Sequence, residues 1–152
     1  MAPSKASTAS DPSAAARTRF DRARRVRKRW EFVAIQGRGK RVHTPHCTLL
    51  LRCRQDTSGA RLGLTVSKKV GNSVTRSRVK RVLREAFRAT QELWPPDVDL
   101  VVIPRKSAAS VKPADIVAQW LAARVDIDRK ISMARREALS AESDVRAREP
   151  RR

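Results

Sequence analysis

Residues 61–88, RLGLTVSKKVGNSVTRSRVKRVLREAFR, constrain the fold more than any other stretch of this chain. From Arg61 to Val66, the apolar residues Leu62, Leu64 and Val66 alternate, as in a half-buried strand. Gly71-Asn72 is a turn signal, because Gly accepts positive φ and Asn tolerates the left-handed region. Asn72 or Ser73 can then cap a helix running to about Gln91. On a helical wheel Val79, Val82, Leu83, Ala86 and Phe87 gather on one side, and Arg76, Ser77, Lys80, Arg81, Arg84 and Arg88 on the other. Basic residues on a helix are most often a solvated face. Here Lys68 and Lys69 precede the turn, and Arg76, Lys80, Arg84 and Arg88 recur at every fourth position. Glu85 is the only acid between Lys68 and Arg88. Without acids one turn away to neutralise it, this strip of positive charge fits a polyphosphate partner.

The rest of the composition agrees. Lys plus Arg number 35 against 15 Asp plus Glu, a formal charge of +20 in 152 residues. Self-repulsion of that size favours an acidic partner, and nucleic acid is the first choice. A membrane surface is the other anionic partner, but the chain carries no lipidation signal and no long apolar run. Two cysteines cannot build a disulfide framework, so a reducing cytoplasm fits. Tyr is absent and Phe plus Trp total six, too few for a sequence-tolerant stacking platform, so charge should dominate affinity.

Residues 1–16 are rich in Ala, Ser and Pro without periodicity, and are expected to be a disordered tail. They hold no apolar core of a secretory signal. Residues 17–29 contain eight Lys or Arg, and 17–27 read as a basic arm that orders on RNA phosphates. A short helix is expected over about Lys28 to Gln36. It buries either Trp30, Val33 and Ala34 or Phe32 and Ile35, and ends at Gly37 and Gly39. Arg41 to Arg54 is the longest strand candidate, with Cys47, Leu49, Leu51 and Cys53 on one face and Thr48, Leu50, Arg52 and Arg54 on the other. His43, His46, Cys47 and Cys53 do not have the spacing of a zinc site, and the two cysteines read as small buried hydrophobes. Ser58-Gly59 turns the chain into the next strand, and Trp94-Pro95-Pro96-Asp97 ends the central helix region. Val98 to Pro104 is a nearly continuous apolar run that suits a strand buried on both faces, and Arg105 and Lys106 extend the charge at its end. Pro113 opens a last helix with Ile116, Trp120, Ala123 and Ile127 as its stripe. That pattern fades after about Ile131, and 132–152 are expected to be a disordered extension. The order α-β-β-α-β-α predicts an α+β, two-layer sandwich in one domain over 17–131.

The stretch SKKVGNSVTRSRVKRVLREAFR also resembles the signature of the bacterial ribonuclease P protein component, K-K-x-G-N-A-V-x-R-N-R-x-K-R-x-x-R-E. Lys68, Lys69, Gly71, Asn72, Val74, Arg76, Arg78, Lys80, Arg81, Arg84 and Glu85 match it. Ser73 replaces an Ala, and Ser77 replaces an Asn between the two arginines. Glu31, Phe32, Gly39 and Val42 match the family's first helix and strand entry. Gln36 and Leu50 stand where the family often has aromatics.

The resemblance implies a small sheet with a left-handed β-α-β crossover, a fold shared with the second domain of a small-subunit ribosomal protein. It also implies a division of labour. A large RNA subunit, using RNA-bound Mg2+, removes the 5′ leader of precursor tRNA. One protein per RNA assists without catalytic residues or a metal site of its own. It assigns Lys68, Asn72, Arg76, Ser77, Arg78 and Lys80 to the catalytic RNA. It assigns Phe32, Gln36, Leu50, Lys69, Lys80, Arg81 and Arg84 to the leader.

The residues themselves show no paired acids for two-metal hydrolysis and no G-x-S-x-G, H-E-x-x-H or P-loop pattern. A stand-alone nuclease is therefore disfavoured. A ribosomal-type protein or RNA chaperone is compatible with the charge but needs no fixed spacing. A helix-turn-helix DNA binder would need a packed helix before residue 73, where the pattern is a strand. Arg78→Ala is expected to weaken binding to the catalytic RNA with the fold intact, which a titration of the RNA with the variant would measure.

Overall fold

A computed structural model describes residues 24–148. The expectations for 1–16, for 17–23 of the arm and for 149–152 lie outside them. The elements are α1 (Arg29–Arg38), β1 (Lys40–His43), β2 (Cys47–Cys53), β3 (Arg61–Leu64), α2 (Ser73–Ala89), β4 (Val98–Pro104), α3 (Pro113–Ala122) and α4 (Arg124–Arg148), with 3-10 turns at Lys68–Val70, Gln91–Leu93 and Lys106–Ser110.

The strands form one sheet in the order β1-β2-β4-β3. β1–β2 and β2–β4 pair antiparallel, and β3–β4 pair parallel, so α2 is the crossover between two neighbouring parallel strands. The single strand expected from Arg41 to Arg54 is instead a hairpin. Pro45 has no N–H to give to a ladder, and the backbone N–H and hydroxyl of Thr44 both donate to the Cys47 carbonyl (2.9 and 2.8 Å), closing the turn.

One face of the sheet carries the main core. Leu49, Leu51, Leu62, Leu100 and Val102 meet Val79, Leu83, Ala86 and Phe87 of α2, Ile116 and Trp120 of α3, and Ile127 and Ile131 of α4. Trp94 joins the helices, stacked on Phe87 (6.2 Å between ring centroids) and edge-on to Trp120 (5.6 Å), with its Nε1–H donating to Thr90 Oγ1 (3.0 Å). Cys47 and Cys53 lie in this core as expected, and burial pushes their thiols up to about 12 and about 11.

The other face is covered in part by α1, where Ile35 seals Leu50, Val101 and Val26, with Phe32 and Ile103 at the border. The first helix thus adds a partial third layer to the expected two. Of its two possible buried stripes, the sheet takes Phe32 and Ile35 and leaves Trp30 (64%) and Val33 (60%) exposed. Residues before α1 run beside edge strand β3, where the Val26 N–H donates to the Leu62 carbonyl (3.0 Å).

The last helix is two helices. The Ala123 N–H is shared between the Gln119 and Trp120 carbonyls (3.1 Å each), a tightened turn from which α4 departs. α4 then continues to Arg148, so the boundary expected at 131 falls inside a helix. Ala134 and Ala138 extend the stripe of Ile127 and Ile131 at helical spacing. Arg135 donates through Nε and Nη2 to Asp97 (2.9 Å each), and Lys40 pairs with Glu137 (2.7 Å). The Arg135 guanidinium holds the Asp97 carboxyl below its ordinary value, so this tether is complete above the usual carboxylate range and is lost only as pH falls below it.

Asp99 is an acid in the middle of the apolar run of β4, and it is buried. Arg61 grips it through Nε and Nη2 (2.8 Å each), and Arg54 Nη1 donates to it from the end of β2 (2.8 Å). Removing the carboxylate takes away the shortest anion contacts of two half-buried guanidiniums, leaving Arg61 its longer pair with Glu31 (3.3 Å) and Arg54 its pair with exposed Asp56 (3.2 Å). Asp99→Ala is expected to lower unfolding free energy by about 3 kcal/mol in denaturant titration.

Candidate nucleic-acid interface

The turn before α2 is built by its sequence. Gly71 has φ +156°, and a Cβ there would meet Thr75 Cγ2 at 2.8 Å. Asn72 caps the helix, its Oδ1 accepting from the Thr75 N–H (2.9 Å). That bond takes one lone pair of the Asn72 amide oxygen and leaves its NH2 group facing outward from the exposed turn. Lys68 and Lys69 are exposed on the turn.

α2 presents two basic edges. The outer edge carries Ser73, Val74, Ser77, Arg78 and Arg81 around a shallow depression, and Val74 is 77% exposed there. The inner edge carries Lys80 and Arg84, which face a cleft of about 370 Å3 whose other walls are Arg25, Val26, Arg27, Phe32, Leu62 and Leu64. Arg84 is half-buried beside Arg25 and Arg88. Desolvation first, then these like charges, lowers its pKa from the ordinary value. Among the described residues, Lys68, Lys69, Arg76, Lys80, Arg81 and Arg84 form no ion pair. The cationic cleft is therefore costly until an anion enters it.

The site residues expected from sequence separate into groups. Phe32, Lys80 and Arg84 meet in the cleft. Arg81 does not; it sits with Ser77 and Arg78 on the outer edge. Lys69 lies apart, in a depression shared with Ser67, Arg105 and Lys106. Arg76 is half-buried, and its Nε lacks a partner among the described residues. Gln36 is half-buried, with its Nε2 donating to Thr65 Oγ1 (3.4 Å). Leu50 is corrected: at 1% exposure beneath α1, opposite Val101 in the ladder, it is core and offers no surface to a base.

Arg78 also departs from expectation. Its guanidinium donates to the carbonyls of Ala109 (2.6 Å) and Val111 (3.4 Å), so it braces the segment leading into α3 as well as facing outward. Sequence reasoning did not place Arg25, Arg27 and Leu64 in the cleft. The pairing of residues 25–26 with edge strand β3 brings the first two there, and no local pattern announces that pairing.

The Ribonuclease P family model matches residues 20–126. The chain belongs to the ribonuclease P protein family. It is 39% identical over 95 residues to the ribonuclease P protein component of Syntrophus aciditrophicus, covering 62% of this chain and 79% of that one. Against the component of Gluconacetobacter diazotrophicus it is 48% identical over 86 residues, covering 56% and 74%. The solved ribonuclease P protein of Staphylococcus aureus superposes with a TM-score of 0.60 at 28% identity over 71% of this chain and 97% of that one. That of Thermotoga maritima gives 0.57 at 32% identity over 64% and 91%. This ribonuclease P protein is thus a subunit of a tRNA-processing endoribonuclease and a partner of ribonuclease P RNA.

Among the described residues, no group of three or more His, Cys, Asp or Glu could hold a metal ion. Among the described residues, no helix is long and apolar enough to cross a membrane.

Arg81 is exposed and forms no ion pair among the described residues, whereas Arg78 is tied to the fold. Arg81→Ala should leave the unfolding midpoint unchanged and weaken binding to the catalytic RNA, reducing the log–log salt slope by roughly 0.7 to 0.9. Arg78→Ala should lower both affinity and stability, the latter by about 1 kcal/mol in thermal or denaturant unfolding.

Proposed function

We propose that this chain binds the catalytic RNA through the outer edge of α2 and the 5′ leader of precursor tRNA through the Phe32–Lys80–Arg84 cleft. The observation that carries this is the separation of unpaired charge on one helix. Two polyanions can approach the same 17-residue element from different sides, meeting Lys80 and Arg84 on one and Arg81 on the other, none of which forms an ion pair among the described residues. Lys68, Asn72, Ser77, Arg78 and Arg81 then serve the RNA subunit, with Arg76 behind them. Phe32, Gln36, Lys80 and Arg84 serve the leader, and Lys69 with Lys106 extends the charged surface at the turn.

The protein's work is electrostatic. Holding a leader beside a large RNA brings two polyanions together, and fixed cations lower that repulsion. Phe32 supplies one apolar ring on which a leader base can stack, worth roughly 1 to 3 kcal/mol. Mg2+ belongs to the RNA in this reading, the holoenzyme has one protein per RNA, and its place is the cytoplasm. We also infer the left-handed sense of the β3-α2-β4 crossover from family membership. Residues 17–131 hold the functional domain, and the helix beyond the family match is an addition to it.

The deciding assay is cleavage of precursor tRNA at low Mg2+ with protein alone, cognate RNA alone and both. Cleavage is expected only with both, or far faster with both than with RNA alone. Failure of the protein to rescue the RNA would return the chain to the ribosomal or chaperone reading. Within the holoenzyme, Lys80→Ala and Arg84→Ala should raise KM for a substrate with a long leader and leave one with a single-nucleotide leader unchanged. Gln36→Phe should tighten leader binding by supplying a second ring one turn beyond Phe32.

A further inference from the structure

Phe32 projects from a ten-residue helix that covers only part of the sheet, yet its ring must be held at the cleft. Two side-by-side contacts fix it. Arg61 and Gly63 alternate to the same face of β3, and they receive Glu31 and Phe32 of α1 in turn. Arg61 Nη1 donates to Glu31 Oε1 (3.3 Å) while its other nitrogens are anchored on buried Asp99. Gly63 has no side chain, and the Phe32 ring occupies that space: a Cβ at Gly63 would lie 2.7 Å from Phe32 Cε1, 3.0 Å from Cζ and 3.1 Å from Val26 Cβ. Gly63 sits in a regular strand and has no positive φ, so conformational freedom does not explain a glycine there. Closeness to the ring does.

We propose that Gly63 and Glu31 are positioning residues for leader recognition: Gly63 seats the Phe32 ring against β3, Glu31 locks α1 to Arg61, and together they set the width of the cleft between Phe32 and the Lys80–Arg84 edge of α2. This rests on the leader occupying that cleft. Neither residue needs to touch RNA. Glu31 also has its own charge matched, because Arg61 pairs with it (3.3 Å) as well as with Asp99. An acid beside a leader site would otherwise repel phosphate, and its capture by Arg61 removes that penalty.

A methyl group at Gly63 presses mainly on the far end of the Phe32 side chain, which must move, and at 3.1 Å on Val26 Cβ, which must give by a few tenths of an ångström, so thermal unfolding is the control for the fold. The experiment measures leader-dependent affinity of the holoenzyme for precursor tRNA with Gly63→Ala, Phe32→Ala and the double variant. Thermal unfolding and RNA-subunit binding are followed alongside. Gly63→Ala is expected to lose up to roughly five- to a hundred-and-fiftyfold in affinity for long-leader substrate, the range of one stacked base, with RNA-subunit binding kept. In the Phe32→Ala background the same substitution should have no further effect on affinity. Glu31→Gln should raise KM for the long-leader substrate without changing kcat, and Glu31→Asp should recover part of the loss.

The positioning role is overturned if Phe32→Ala weakens leader binding while Gly63→Ala does not, or if the two losses add. If Phe32→Ala itself leaves leader affinity unchanged, the leader does not use this cleft and the parent reading fails. If Gly63→Ala abolishes RNA-subunit binding or unfolds the protein, the glycine serves the core and the positioning role falls.

Discussion

The buried carboxylate of Asp99 is the point on which the sheet and its first helix both depend. A charge at that depth is tolerable only if fully matched, and Arg61 and Arg54 match it from the strand on one side and the end of the strand on the other. Asp99 in turn keeps the Arg61 guanidinium ionised, raising its pKa above the ordinary value through those hydrogen bonds. Arg54 then reaches the carbonyls of Gly59 (2.6 Å) and Pro96 (2.9 Å), tying down the loops that flank the cluster. Arg61 reaches Glu31 and so α1. One acid thereby fixes the relative place of β2, β3, β4 and the helix that carries Phe32.

Charge is distributed unevenly over the fold, and the unevenness separates structure from function. Where arginines brace the scaffold they have partners: Arg54 and Arg61 on Asp99, Arg135 on Asp97, Arg105 on the Thr44 carbonyl (2.6 Å). Along α2, among the described residues, Arg76, Lys80, Arg81 and Arg84 form no ion pair, and Arg84 is crowded by Arg25 and Arg88. Such crowding lowers stability in isolation and raises affinity for phosphate by the same interaction. The helix carries Arg76, Arg78, Lys80, Arg81, Arg84 and Arg88 against the single acid Glu85, so a polyanion lying along it relieves part of the chain's excess charge.

How much of this could be read from sequence follows from the range of each interaction. α2 was legible almost to the residue, because its stripe, its Asn72 cap and its glycine turn are all local. β4 was legible as a run but Asp99 inside it was not, since its partners lie 38 and 45 residues away. The hairpin at Pro45 was available in the sequence and was outweighed by the alternation on either side of it. The choice between two faces of α1 was undecidable locally; the shape of the sheet, with Gly63 beneath Phe32, decided it. The same choice buried Leu50. α4 extends because Ala134 and Ala138 are small enough to lie close to the sheet, and small residues leave little trace in a hydrophobic pattern. The membership itself was legible because the residues that match the family signature, Lys68 to Glu85, lie in one continuous segment.

The use of aromatics completes the argument. Phe87, Trp94 and Trp120 are consumed by the main core, where they pack ring against ring. Among the described residues only Trp30 and Phe32 remain near the surface, and only Phe32 lines the cationic cleft. If the proposed leader site is this cleft, a single ring there cannot gain affinity by stacking many bases, so the geometry of that ring matters more than in a surface rich in aromatics. The rigid seat under Phe32 and the dense charge beside it are two responses to the same shortage. The seat limits the entropy lost when a base stacks, and the charge supplies the attraction that stacking does not.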